Sequence, residues 1–223
     1  TIAERVFETE ASNFSAAEII FSCAVNLQRA KTALRIASVM VDEAERLNQP
    51  EAVVVDYKVK QLMGTALVGL YPETLGIWDE LLPHFEKYPE MLTANVFACV
   101  LRSLDGVGNV TEALRIIEEH GLEADDFPTT HELEMVIPQI FMSAGQEGRA
   151  LNAYHEVLEK YPDRAEPRWN YSLGLLSIGR LREGFEHFEI RWQWGDFPSR
   201  KRLFSSPRWE GESLEGKSIF LLK

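Results

Sequence analysis

The sequence is poor in several features that would identify a class of protein. It has only two cysteines among 223 residues, so a disulfide framework is not expected. Cys23 and Cys99 both lie in apolar helical patterns and are predicted to be buried free thiols. No apolar run approaches the ~20 residues that span a bilayer, and the first residues lack the pattern of a signal peptide. These absences favour a cytoplasmic protein without a membrane span.

Catalytic and metal-binding patterns are also missing. The five histidines form neither HExxH nor a Cys/His metal spacing, and there is no P-loop, GxSxG or GxGxxG. Asp125, Asp126 and His131 could together ligate a cation, but acidic loops are usually solvated surface, and we prefer that interpretation. The sequence therefore predicts no catalytic residue, no metal and no cofactor within this chain.

Basic charge is scarce over most of the chain. The formal net charge is −12, to which residues 1–190 contribute −15 and residues 191–223 contribute +3. Nucleic-acid backbones are bound by clustered lysine and arginine side chains. The acidic body therefore argues against nucleic acid as a partner.

An internal repeat with a period of 34 residues is what the sequence does contain. Three pairs of positions share this offset: Gly145 and Gly179, Ala150 and Gly184, and Tyr154 and Phe188. Each segment predicts an apolar helix, a glycine at a tight turn, and a second helix carrying a small residue and then an aromatic residue. Pro162 is predicted to end the second helix, because its ring cannot continue the hydrogen-bond ladder.

This pattern resembles the tetratricopeptide repeat, a 34-residue helix–turn–helix unit. The resemblance implies an all-α fold, a right-handed α-solenoid, over residues 53–192. Units are expected near 58–91, 94–127, 131–164 and 165–192. The first of these is placed from Pro89 and is degenerate, since Ile77 takes its small position. Residues 1–52 are predicted to be N-terminal capping helices, with a capping box that begins at Ser15.

In such solenoids the first helix of each unit lines a concave groove that binds peptides. Counting from the unit starts gives these groove candidates: Asn95, Arg102, Met135, Gln139, Met142, Trp169 and Asn170. The mixed lining suits an extended or helical protein segment with apolar anchors. Trp169 could equally be core between helices. The carboxylate clamp of chaperone adaptors is absent, and only Asn170 remains of the asparagine ladder of O-GlcNAc transferases.

The tail carries a second resemblance. Arg191-Trp192, the element PRWEGE at 207–212 and the element LEGKSIFLL at 214–222 resemble the junction of bacterial tetratricopeptide-repeat glycosyltransferases. In that family the last element is the first strand of a two-lobed transferase domain. The resemblance implies that residues 193–223 are a linker that ends in an orphan β-strand. It also implies a parent enzyme that continues past Lys223 and uses a nucleotide sugar; the missing initiator methionine fits such a piece.

Aromatic residues are concentrated around this junction. Four of them are predicted to cap the apolar end of the solenoid or to seat the transferase domain: Trp192, Trp194, Phe197 and Trp209. The basic run 200–202 is expected to be solvated or paired within the chain. Two functions remain open at this point. One is the arm of a glycosyltransferase that recruits a protein acceptor, and the other is a stand-alone scaffold that binds peptides.

Overall fold

The computed structural model describes residues 13–124, 126–195, 197, 199, 209 and 211–219. Within these residues the chain forms ten α-helices and two short 3-10 helices, and no β-strand. The α-helices are α1 Phe14–Asn26, α2 Ala30–Arg46, α3 Glu51–Val68, α4 Tyr71–Phe85, α5 Ala94–Gly106, α6 Val110–Glu119, α7 His131–Ser143, α8 Glu147–Lys160, α9 Ala165–Ser177 and α10 Leu181–Phe188. The 3-10 helices are Pro89–Met91 and Glu189–Trp192.

The helices form five successive pairs, from α1–α2 to α9–α10, because short turns bring consecutive helices side by side. The first helices α3, α5 and α7 contact one another in order. The second helices α2, α4, α6 and α8 each pack on the first helix of the next pair. The predicted all-α helical stack is confirmed.

Each pair is closed by the same left-handed turn. The turn residues with positive φ are Gln28 (53°), Gly69 (83°), Gly108 (77°), Gly145 (69°) and Gly179 (80°). The next backbone N–H donates to the carbonyl five residues earlier, as from Gln146 to Phe141 at 2.8 Å. This arrangement satisfies carbonyls that the end of the first helix leaves unpaired. The first pair, which the sequence failed to place in register, has the same turn with glutamine in the glycine position.

The turns set the register of the stack. The residue five positions after each turn is small and buried: Ala33, Thr74, Ala113, Ala150 and Gly184. In the second pair the small position is therefore Thr74, and Ile77 does not occupy it. Counted from the turn at Gly69, that unit begins at Val55, earlier than the start near 58 inferred from the sequence. The difference arises because Pro89 starts a 3-10 turn beyond α4.

The start of α1 also differs from the sequence interpretation. The side chain of Asn13, and not that of Ser15, caps the helix, because its Oδ1 accepts the N–H of Ala16 at 3.0 Å. Residues 1–12 of the predicted capping region lie outside the described residues.

The helices pack around two hydrophobic clusters. The smaller one joins α1, α2 and α3 and includes Ile36 and Met40, both fully buried. The larger one runs from α3 to α8 and includes Leu62, Phe97 and Phe141. Burial of such side chains contributes roughly 1.5–3 kcal/mol each, and both clusters extend across neighbouring pairs and so hold the stack together.

Two glycines mark how closely neighbouring pairs approach. A Cβ at Gly64 of α3 would lie 2.8 Å from the Cα of Leu34, so the backbones of α2 and α3 are in contact there. A Cβ at Gly174 of α9 would instead meet only side chains, Cδ2 of Leu151 at 3.3 Å and Sδ of Met142 at 3.7 Å. The contact at Gly64 therefore has no room for a side chain, whereas the contact at Gly174 is filled by flexible ones.

The tail after the last 3-10 helix has no regular structure where it is described. Residues 211–219 are exposed, and Ser218 and Ile219 of the predicted orphan strand are not in a strand. Residues 220–222 of that strand lie outside the described residues. None of the described helices combines the length and apolar character required to cross a bilayer.

The left-handed turn gives a test of the register. Replacing Gly145 by alanine is expected to destabilise the fold by about 1 kcal/mol, because a Cβ disfavours positive φ. Replacing Gln28 by glycine is expected to stabilise it by about 0.5–1 kcal/mol for the same reason. Urea denaturation measures both effects.

Gly148→Ala is the matched control, since Gly148 lies inside α8 and an added Cβ would meet nothing within 4 Å. It should leave stability unchanged or raise it. Equal losses for Gly145→Ala and Gly148→Ala would contradict the role given to the turn.

Candidate functional site

Three of the predicted groove residues lie exposed on neighbouring first helices. Asn95 and Arg102 are two turns apart on one side of α5, and Gln139 lies on α7. The Nε2 of Gln139 donates to Oδ2 of Asp105 at 2.7 Å and so links the two helices. We call Asn95, Arg102, Asp105 and Gln139 together the first-helix face. Arg102 makes no ion pair with any described residue, so its guanidinium is available to a partner.

Cys99 lies beneath this face, between Asn95 and Arg102 on α5. Its side chain is partly buried against the core, and burial raises the pKa of the thiol to about 11. The positive charge of Arg102 partly opposes this shift, and the carboxylate of Glu132 adds to it. Cys99 is therefore a neutral thiol at physiological pH, and charge on the first-helix face comes from Arg102 and Asp105.

The two methionines expected in the groove belong mainly to the interior. Met135 is only 5% exposed and packs with Tyr154 and Val157 of α8. Met142 is half-buried in the same cluster and reaches towards Gly174 of the next pair. Met135 and Met142 thus point partly between helices, which leaves the first-helix face more polar than the sequence predicted.

Trp169 lies in an aromatic cluster whose members the sequence assigned to two separate roles, groove lining and capping. Its ring lies 4.7 Å from Phe188, 6.1 Å from Trp194 and 5.2 Å from Phe197, between ring centroids. A predicted groove residue and two predicted capping residues therefore meet in one aromatic cluster over the last pair. Asn170, beside Trp169, is half-buried.

Trp192 belongs to the same cluster, whereas Trp209 contacts its own segment. The ring of Trp192 lies 5.6 Å from that of Phe197, and the guanidinium of Arg191 lies over both Trp192 (4.6 Å) and Phe188 (4.3 Å). Such contacts stabilise by about 0.5–2 kcal/mol. Trp209 is 47% exposed, and its indole N–H donates to the carbonyl of Glu212 at 2.7 Å.

The part of the chain that the structure describes contains no group of three or more His, Cys, Asp or Glu side chains that could hold a metal ion. Of the cation candidates in the sequence, Asp125 lies outside the described residues and Asp126 is exposed. His131 instead faces Glu166 of α9, with Nε2 3.5 Å from Oε2, and meets the edge of the Tyr161 ring. His131 thus serves as a contact between the last two pairs.

The sequence did not predict a second concave feature, an open groove of about 270 Å³ between α8, α9 and α10. Its lining residues are His155, Leu158, Glu159, Arg168, Tyr171 and His187. The two histidines occupy different positions in their units, so no repeat signal connects them. Only packing of the last two pairs brings them to either side of Tyr171.

No protein-family model matches the chain, and no curated protein matches it. The assignment to tetratricopeptide repeats therefore stays a prediction from the residues of the repeat.

The two cysteines differ in a way that thiol chemistry can measure. Cys23 is exposed, which corrects the prediction that it is buried, whereas burial raises the pKa of the Cys99 thiol to about 11. Only a thiolate reacts with a disulfide reagent. At pH 8 we expect one fast-reacting thiol, and the second only after unfolding in urea. Cys23→Ser should abolish the fast phase and Cys99→Ser should leave it; fast reaction of Cys99 in the folded chain would contradict its burial.

Proposed function

We propose that the chain is a protein-interaction module that binds a segment of another protein on its first-helix face. The observation that carries this proposal is the continuous layer of first helices α3, α5 and α7, with exposed Asn95, Arg102 and Gln139 along it. Layers of this kind give helical-repeat proteins an extended surface that matches an extended ligand. The side chains offer amide donors and acceptors and one cation without an ion-pair partner among the described residues.

The chemistry of the face favours a segment with backbone or side-chain acceptors and an acidic group near Arg102. Amide side chains can bind the backbone of an extended peptide, and an arginine fork can pair with a carboxylate. The proposed partner is thus a protein or peptide, with neither nucleic acid nor a membrane as ligand. The free cysteines suit the reducing cytoplasm as the proposed location.

Within this function, we favour an acceptor-recruiting arm of a bacterial glycosyltransferase. The support is the resemblance of the tail, from Arg191-Trp192 through PRWEGE to LEGKSIFLL, to the junction in such enzymes. The aromatic cluster around Trp169 adds a platform at the end of the stack on which a following domain could sit. The nucleotide sugar and the catalytic residues would then belong to that domain. A stand-alone scaffold that binds peptides on the same face is the alternative.

Charge reversal tests the binding face. A peptide ligand selected from a random display library should bind the Arg102→Glu variant about tenfold more weakly or worse, because one charge-assisted contact becomes repulsive. Fluorescence polarisation with the labelled peptide measures the dissociation constant, and chemical shift changes should concentrate on α5 and α7.

Arg35→Glu is the matched control, since Arg35 is exposed on the second helix α2 and forms no ion pair with a described residue. It should leave the affinity unchanged. Ligands that all map to second helices, or an equal loss in both variants, would contradict the proposed face.

The arm and the scaffold differ in the coding sequence expected beyond Lys223. The arm predicts that the reading frame past this residue encodes a glycine-rich loop and alternating strands and helices, and that the 223-residue chain alone transfers no sugar. A stop codon after Lys223 would exclude the arm and leave the scaffold. Sugar transfer by the isolated chain, measured with radiolabelled nucleotide sugar, would contradict both.

A further inference from the structure

The groove between α8, α9 and α10 brings together three basic side chains of the last two pairs, His155, Arg168 and His187. The ring centroid of Tyr171 lies 6.5 Å from that of His155 and 5.2 Å from that of His187. Arg168 lines the same groove from the first turn of α9. Two imidazoles thus flank one phenol ring, and a guanidinium lines the same groove, in a protein whose net charge is −12.

Arg168 has hydrogen-bonding capacity that the described residues do not use. Its Nη2 donates to the carbonyl of Pro162 at 3.3 Å, and it forms no ion pair with a described carboxylate. Its Nε–H is buried and has no acceptor among the described residues. A buried guanidinium N–H without an acceptor is costly, and in folded proteins such groups usually contact a partner.

His187 shares this electropositive environment. Burial and, after it, the charge of Arg168 lower the pKa of the imidazole. From its own helix α10, Glu186 and Glu183 oppose this shift without cancelling it. Across the groove, His155 of α8 pairs with Glu159, whose Oε1 lies 3.4 Å from its Nε2. An anion in the groove would be attracted by the Arg168 guanidinium and could accept a hydrogen bond from the His187 imidazole, since both side chains line it.

We propose that this groove binds a phosphate group, held by Arg168 and His187 with Tyr171 beside them. Phosphate matches the arginine fork and can accept further N–H and O–H donors from an imidazole and a phenol. The groove is open, so the phosphate can be free in solution or carried on a side chain of a partner. This site lies away from the first-helix face and does not depend on the function proposed for that face.

Histidine NMR in phosphate-free buffer tests the site on the full 223-residue chain. With ionic strength held constant by sodium chloride, inorganic phosphate and O-phosphoserine are added in separate titrations. A bound anion should raise the pKa of His187, and the shift should saturate. Saturation with inorganic phosphate indicates the free ion as ligand, and saturation with O-phosphoserine alone indicates a phosphorylated side chain.

Variants separate a specific site from general screening. Arg168→Gln should weaken binding about tenfold or more, since it removes one charge-assisted hydrogen bond. His187→Asn keeps Arg168 and should weaken phosphate binding less, followed through the resonances of Tyr171. Arg35→Gln removes the same charge from a distant exposed position and should have no effect. Circular dichroism checks that each variant is folded.

A pKa of His187 that does not respond to either phosphate compound would overturn the proposal. So would an equal response to acetate, or the same loss of affinity in the Arg168→Gln and Arg35→Gln variants. If the peptide-binding experiment at Arg102 failed, the phosphate titration would still be interpretable, because it measures the pKa of His187 in a different part of the chain.

Discussion

The left-handed turn that closes each helix pair is the constraint on which the rest of the structure depends. It reverses the chain within a few residues and fixes how far the second helix lies along the first. As a result, the small residue five positions later falls where the two helices cross. Five turns with this geometry give five similar pairs, and they stack so that the first helices α3, α5 and α7 share one layer. The first-helix face is a consequence of this repetition.

The sequence predicted the register where a turn glycine was used as the reference and failed where it was not. Helices α5, α7 and α9 begin at Ala94, His131 and Ala165, the positions from which the units were counted. The first pair was not placed in register because Gln28 and Ala37 carry neither the glycine nor the aromatic residue of the pattern. The predicted start of the second unit was displaced because Pro89, which lies beyond α4, was used as the reference instead of Gly69.

The candidate sites could be predicted less completely than the helices. Asn95, Arg102 and Gln139 are exposed, as position counting along one helix suggested, but Met135 is buried by Tyr154 of the following helix. Trp169 meets Trp194 and Phe197 because the chain after α10 folds back over the last pair, which a repeat pattern does not encode. The groove of His155, Tyr171 and His187 depends on packing between pairs and has no sequence pattern of its own.

The contrast between Gly64 and Gly174 has a mechanical consequence. At Gly64 the backbones of α2 and α3 touch with no side chain between them, so the two helices cannot approach more closely at this point. At Gly174 the gap is spanned by Met142 and Leu151, whose rotamers can change at little cost. The junction at Gly174 can therefore adjust by rotamer changes, whereas the contact at Gly64 has no side chain that could change.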